Sequence, residues 1–242
     1  MKKQRQKQIL EIIGRDKFVT VDTLAKALFV SLPTIRRDLG ELQKQGFITR
    51  SHGGACVRTL DDTPFDFRTG KVPSVKLSMA KAAATLIHSG DTVFIDGSTS
   101  CLHIGDNISG EVTVVTNGVK TALSLARHDN ITVYCTGGEL IKNSLSYAGV
   151  RAEQFADDFF FDKMFFSSSA LDNDGNITDY SLAETSLRRK VMQKSRQKIF
   201  LCDKSKHGKA QGCFVARLCD IDTVISDAKI TGVNCIVTGD KK

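Results

Sequence analysis

Residues 30–55 read VSLPTIRRDLGELQKQGFITRSHGGA, and this stretch decides the fold of the first quarter of the chain. Ser31 is a good N-cap, Pro33 sits in a first turn where a missing N–H costs little, and Gly46 suits the residue after a helix end. Leu32, Ile35, Leu39 and Leu42 recur at helical spacing and form the predicted buried stripe, so Thr34, Arg36 and Arg37 project outward. Behind Gly46, residues 47–55 read as a short β-hairpin with Gly53-Gly54 at its tip and Arg50 beside it.

Working back from Ser31, residues 20–29 predict a second helix. Thr20 is its cap, and Val21, Leu24, Ala25 and Leu28 face inward. A first helix is predicted over Gln4–Gly14, with Ile9, Ile12 and Ile13 on one stripe, and Phe18-Val19 is an extended entry to the second. The step Phe29-Val30-Ser31 between helices two and three has the spacing of a helix-turn-helix, which offers the N-terminal half of the third helix to a major groove. Charge agrees with that geometry. Residues 1–59 hold 12 Lys and Arg against 5 Asp and Glu, while the rest of the chain holds 22 of each, so the whole net charge of +7 lies in the first quarter. A basic module of this kind neutralises backbone phosphates. The competing reading is a solvated basic face in which Arg36 and Arg37 pair with Asp38 or Glu41.

The run TIRRDL followed by GFITRSHGGA resembles the DNA-binding domain of the DeoR family of bacterial transcription regulators over about residues 3–58. The resemblance implies a winged helix-turn-helix whose DNA-facing residues are Ser31, Thr34, Arg36, Arg37 and Lys44 on the third helix and its end, with Arg50, His52 and Gly53 on the wing. The family's variable position after the capping serine is Leu32-Pro33 here.

Residues 59–74 hold two of the three prolines with little periodicity and read as a linker, in which Phe65 and Phe67 are expected to pack. Beyond them helices and strands alternate. Helices are predicted over 75–88, 100–108, 119–127, 152–158 and 182–194, and strands over 92–96, 112–116, 131–135, 163–168, 198–202, 223–225 and 235–237. Such βα alternation predicts an α/β domain over 75–242 with a mostly parallel sheet covered by helices on both faces. Ligands bind such sheets at the carboxyl ends of the strands. Four small-residue or basic turns fall there: Asp96-Gly97-Ser98-Thr99-Ser100, Thr116-Asn117-Gly118, Thr136-Gly137-Gly138, and Asp203 to Gly208. Free backbone N–H groups, hydroxyls and lysines suit a phosphate. The absence of G-x-G-x-x-G and G-x-x-x-x-G-K-[ST] disfavours a dinucleotide or a nucleoside triphosphate.

The resemblance to the DeoR family continues through this domain. It is carried by Arg68 and Lys76 spaced R-x-x-x-x-x-x-x-K, then GDTVFIDGSTS, VVTNG, TGGEL, GNITD and DKSKHG in order. It implies an effector domain similar to ribose-5-phosphate isomerase that senses a phosphorylated sugar. Asp96, Ser98, Thr99, Ser100, Asn117, Gly137, Gly138, Glu184, Lys204 and Lys206 are then the residues around the ligand. Two departures stand out: the family's D-x-G-T-T reads Asp96-Gly97-Ser98-Thr99-Ser100, and Phe165–Ala170 is rich in serine.

An isomerase with a regulatory N-terminal domain is the alternative. Asp96, Asp172, Glu184 and Lys204 could move protons between carbons, but the acidic D-G-A-D-E loop of the isomerases is missing. The five histidines show no ligand spacing and the seven cysteines no C-x-x-C pair, so neither a metal site nor a disulfide framework is expected, and no cofactor is implied. No apolar run is long enough for a membrane span and the basic N-terminus lacks the core of a signal peptide, so a cytoplasmic location without membrane contact is expected. Together these readings predict a non-enzymatic, sequence-specific regulator, a repressor of carbohydrate-metabolism genes whose partners are double-stranded operator DNA and a phosphorylated sugar. A homo-oligomer, dimer or tetramer, is expected because one recognition helix reads too few base pairs.

Overall fold

The computed structural model describes residues 2–16, 18–44, 47–51, 53–57, 65–69 and 73–238. The chain divides into two compact units, Met1–Pro64 and Phe65–Lys242. In the first, α1 (Lys2–Asp16), β1 (Phe18–Thr20), α2 (Val21–Leu28) and α3 (Leu32–Lys44) precede a hairpin of β2 (Ile48–Ser51) and β3 (Gly54–Val57). The Thr20 hydroxyl accepts the Thr23 N–H at 3.1 Å and caps α2, as its position before an apolar run predicts. Phe29 closes α2 in the left-handed conformation, φ 53°, with its N–H on the Ala25 carbonyl. Strand β1 pairs antiparallel with β3, which pairs with β2, so the wing is a three-stranded sheet. The helices meet over Ile9, Ile13, Leu24, Ile35, Leu39 and Leu42, all buried.

The buried stripe of α3 differs from the predicted one at two residues. Leu32 is 36% exposed, and Asp38 occupies the inner face with Ile35, Leu39 and Leu42. Leu32 opens the helix beside the exposed turn, whereas Asp38 is admitted because Arg5 of α1 meets it with Nε at 2.5 Å. A buried carboxylate is tolerated when an opposite charge satisfies it. Gly46 and His52 lie outside the described residues.

The second unit opens with α4 (Phe65–Thr69) and α5 (Pro73–Ala84), followed by β4 (Thr92–Ile95), β5 (Val112–Thr116), α6 (Val119–Leu125) and β6 (Ile131–Cys135). A hairpin of β7 (Glu139–Ile141) and β8 (Ser146–Ala148) leads to α7 (Val150–Asp157), β9 (Phe161–Phe166), β10 (Ala170–Leu171), β11 (Asn176–Asp179) and α8 (Leu182–Gln193). The chain ends with β12 (Ser195–Leu201), β13 (Cys213–Arg217), β14 (Thr223–Ser226) and β15 (Cys235–Val237). Seven strands form one sheet in the order β15-β14-β12-β9-β4-β5-β6, and every pair in it is parallel. Side-chain alternation sends Phe94, Met164, Phe166 and Phe200 into a core with α7 and α8. It sends Val93, Ile95, Phe165, Ile199 and Leu201 into a second core with α5. Strands covered on both faces are the apolar runs that the sequence shows.

The structure alters three further expectations. No α-helix forms over 100–108; successive i to i+3 bonds such as Cys101 N–H to Ser98 and Ile104 N–H to Cys101 make tight turns ending in a 3₁₀ turn at Gly105–Asn107. Cys101 and Ile104 are drawn fully into the core there, and Gly105 lies so close against Leu125 that a Cβ would come within 2.5 Å of it. The supposed linker also contains structure, because α4 lies inside it with Phe65 buried, and α5 begins at Pro73. Finally, the β7–β8 hairpin and the antiparallel sheet β10-β11-β13 carry no sequence signal. β7, β8 and β10 span two or three residues, too short for a period of two to register, and β11 and β13, of four and five residues, pair with each other only across the intervening α8 and β12. Among the described residues no helix is long and apolar enough to cross a membrane.

Candidate functional site

In the first unit the candidate residues gather on one stripe of α3. Positions 36, 40 and 44 are spaced four apart and share a helix face. Arg36 and Lys44 are exposed on it. Between them Gly40 has no side chain, and the exposed Arg50 of β2 takes that space, with Nη1 3.9 Å from where a Gly40 Cβ would stand. Arg37 is exposed on the neighbouring row. The acids that could have neutralised these arginines are engaged elsewhere. Asp38 belongs to Arg5, and Glu41 accepts from Lys2 at 2.7 Å and Gln6 at 2.8 Å. Lys2 and then Gln6 hold the Glu41 carboxyl below the usual range, with a more distant Coulombic contribution from Arg37. Among the described residues Arg36 has no ion pair or hydrogen bond. Ser31 and Thr34 join hydroxyl to hydroxyl at 2.9 Å at the start of α3, and Gly53 is exposed at the hairpin turn.

In the second unit the candidates meet at the carboxyl edge of the parallel sheet. Asp96 follows β4 and is buried. Its Oδ1 accepts the Ser98 N–H at 3.0 Å, and its Oδ2 accepts the Ser167 N–H at 3.2 Å and Arg188 Nε at 3.1 Å. Arg188 also donates to Asp179 at 2.8 Å. Burial alone would lower the Arg188 pKa, but Asp179, Asp96 and Glu184 together raise it above its ordinary value, so the guanidinium is a fixed charge. The loop 97–100 is thus held from beneath. Asn117, after β5, accepts the Gly97 N–H at 2.9 Å and donates to the Tyr147 carbonyl at 3.0 Å. Gly97 and Gly118 touch backbone to backbone, and a Cβ on Gly118 would come within 2.5 Å of the Gly97 Cα. Only glycine permits that approach.

Two ammonium groups flank the loop. Lys206 Nζ donates to Ser167 Oγ at 2.6 Å and to Ser100 Oγ at 3.3 Å, and lies 3.7 Å from Asp203. Lys76 Nζ, buried, donates to Thr99 Oγ1 at 3.0 Å and to the Arg68 carbonyl. Ser98 Oγ is buried without a hydrogen-bond partner, and among the described residues no backbone carbonyl accepts the Thr99 or Ser100 N–H. Burial works against ionisation of Asp203, yet Lys206 and the Ser205 hydroxyl and N–H hold its carboxyl below the ordinary range.

The remaining candidates are more dispersed. Glu184, on the first turn of α8, accepts from Ser146 Oγ at 2.7 Å, and Ser146 lies against Gly97. Gly137 and Gly138 follow β6 with φ 61° and 103°. The Lys204 side chain is exposed, while its backbone N–H donates to Asp227 at 2.6 Å and its carbonyl accepts the His207 N–H at 3.2 Å. Lys76, Ser167, Ser146 and Arg188 are site residues that the strand-end turns of the sequence do not point to. Two of them left a trace there: Lys76 ends the R-x-x-x-x-x-x-x-K spacing, and Arg188 follows Glu184 by four residues on the same helix face. Among the described residues no group of three or more His, Cys, Asp or Glu side chains is placed to hold a metal ion.

A basic winged helix-turn-helix joined to an α/β unit defines a DNA-binding protein with a second, separately folded domain. The DeoR-like helix-turn-helix domain matches residues 5–59 and the DeoR C-terminal sensor domain matches residues 72–228. This chain belongs to the DeoR family and is a DNA-binding transcriptional regulator. It is 32% identical over 242 residues to the uncharacterized HTH-type transcriptional regulator YulB of Bacillus subtilis, covering 99% of this chain and 94% of that one. It is 28% identical to the glycerol-3-phosphate regulon repressor of Escherichia coli, covering 93% of this chain and 90% of the relative. Among solved structures it is similar to ribose 5 phosphate isomerase A from Neisseria gonorrhoeae, with 12% identity, a TM-score of 0.41, and 55% of this chain and 52% of that chain covered.

Proposed function

We propose that the protein is a repressor of carbohydrate-metabolism genes whose hold on operator DNA is relieved by a phosphorylated sugar bound at the 97–100 loop. The observation that carries this reading is the loop itself, with the Thr99 and Ser100 N–H groups and Ser98 Oγ unengaged between the ammonium groups of Lys76 and Lys206. Unengaged N–H groups beside fixed positive charge are the donor set that a phosphoryl dianion takes up. The hydroxylated end of the sugar falls toward Gly137, Gly138 and Glu184, whose carboxylate keeps accepting capacity beyond Ser146. Asp96 and Asn117 hold the loop in place, and Lys204 stays at the rim. On the DNA side, Arg36, Arg37, Lys44 and Arg50 meet phosphates and base edges, with Ser31, Thr34 and Gly53 beside them and His52 as a further candidate from the sequence. Two or four copies acting together read repeated half-sites. The repressor name and phosphorylated-polyol regulon of the E. coli relative support the direction of control and the ligand class.

The test starts by incubating the full chain with fragmented genomic DNA at about physiological salt and sequencing what is retained. The expected outcome is a few promoter fragments sharing a repeated half-site. Sugar phosphates made or consumed by the neighbouring genes are then titrated against the complex, for the wild type and for Lys206→Ala. Release from the wild type, with no release from Lys206→Ala and unchanged ligand-free affinity, is expected; release from both removes Lys206 and this loop from the effector site.

A further inference from the structure

The helix α4 has five residues, too few to be stable by itself. Among the described residues, contacts within the second unit hold it. Phe65 is buried, its N–H donates to the Asn143 carbonyl at 2.8 Å in the β7–β8 turn, and the Arg68 carbonyl near the helix end accepts from Lys76. The last carbonyls of any helix lack intrahelical donors, so Lys76 acts here as a C-terminal cap reaching in from α5. The same ammonium holds Thr99 Oγ1 at 3.0 Å in the loop whose other flank is Lys206. Lys76 therefore bridges the loop and α4, and α4 is the first element after the boundary between Pro64 and Phe65, through which the chain leads to the DNA-binding unit.

We infer that Lys76 is the positioning residue that carries occupancy of the 97–100 loop to α4, so that an anion on the loop orders the first helix of the second unit. The inference rests on the anion reading of the loop proposed above. A phosphoryl oxygen bound at the Thr99 and Ser100 N–H groups lies within reach of the ammonium already on Thr99. A charge-assisted bond of that kind is roughly twice as strong as the neutral contact it joins. An ammonium pinned on the loop side loses freedom on the α4 side as well, and the Arg68 carbonyl keeps its cap for a larger share of the time. Ordering that passes between sites in this way needs no large displacement.

The test is hydrogen–deuterium exchange on the full chain, with and without saturating inorganic phosphate. In the wild type, phosphate is expected to slow exchange in peptides covering 97–101 and, by about threefold or more, in those covering 65–69. Lys76→Met removes one of the two charges that flank the loop, so more phosphate is needed to protect 97–101; at a phosphate concentration that restores that protection the effect at 65–69 is absent, and Lys76→Arg, which keeps the charge and the reach, restores it. If Lys76→Met does not fold, Thr99→Val is read in its place, since it removes the loop end of the bridge and leaves the cap. Unchanged or faster exchange at 65–69 in the wild type with the loop protected overturns the relay alone. An equal response at 65–69 in the wild type and in the bridge variants overturns it too. Absence of protection at 97–101 in the wild type overturns the anion reading, and the relay falls with it.

Discussion

On α3 the cations stand in water with no acid assigned to them, whereas at the sheet edge almost every charged group is buried or tied to a partner. Arg36 and Arg37 are exposed, and the nearby Asp38 and Glu41 are taken up by Arg5, Lys2 and Gln6 of α1. Asp96, Asp179 and Arg188 by contrast form a buried set, and Lys206 rests on two serine hydroxyls. On the function proposed above, the difference follows from the size of what each surface meets. DNA is a large polyanion that is bound by displacing counterions, so exposed cations suffice and their exact rotamers matter little. A small anion offers few contacts, and its binding free energy survives only if the donors are already in place.

The contrast predicts that the same kind of truncation acts on different quantities in the two regions. The largest effect is expected for Arg188→Ala, which strands Asp96 and Asp179 without their cation and should cost about 3–5 kcal/mol of stability. Urea unfolding of the full chain, followed through the second unit, measures it, and a loss under about 1 kcal/mol would show that the edge is as solvated as α3. Arg36→Ala should leave that unfolding unchanged and weaken binding to the retained operator by about 1–3 kcal/mol. Unchanged affinity would return Arg36 to a solvated helix face.

A smaller effect is expected with acid. The Asp203 carboxyl sits below its ordinary range because Lys206 and Ser205 outweigh its burial. A depressed folded pKa contributes stability above the unfolded value of about 3.9 and loses it as pH falls through the folded value. The urea midpoint should therefore fall more steeply between about pH 5 and about pH 3 in the wild type than in Asp203→Asn. Equal slopes would sharpen the contrast against the edge, by showing that Lys206 does not hold this carboxylate. The smallest change is expected for Arg50→Ala, which should lower the slope of log affinity against log salt by about 1 with little effect on sequence preference. An altered preference would place Arg50 among base-reading residues.

Legibility differed between the regions for the same physical reasons. The caps and apolar stripes of the first unit are local patterns, and Thr20, Ile35, Leu39 and Leu42 fall where helical spacing puts them. Strands β5, β6 and β15 coincide with their predicted runs because each is a short stretch rich in β-branched residues bounded by turn residues. The helix expected over 100–108 failed because burial of Cys101 and Ile104 and the approach of Gly105 to Leu125 depend on α6, which is remote in the chain. At the edge, Lys206 and Lys204 look alike in DKSKHG, yet only Lys206 turns inward to Ser100 and Ser167, while Lys204 remains in solvent.

Periodicity, caps and charge density are properties of neighbouring residues, so the basic winged helix-turn-helix, the parallel α/β domain that follows it in the chain and the small-residue turns after its strands are legible in the sequence. Which side chains are paired and which stand in solvent is settled by long-range packing. Asp38 is taken by Arg5, Asp96 by Arg188, and Lys76 is divided between Thr99 and Arg68. Those pairings join residues 33, 92 and 23 positions apart for the first three contacts. At such separations a partner is chosen by the packing of whole elements and not by spacing along the chain.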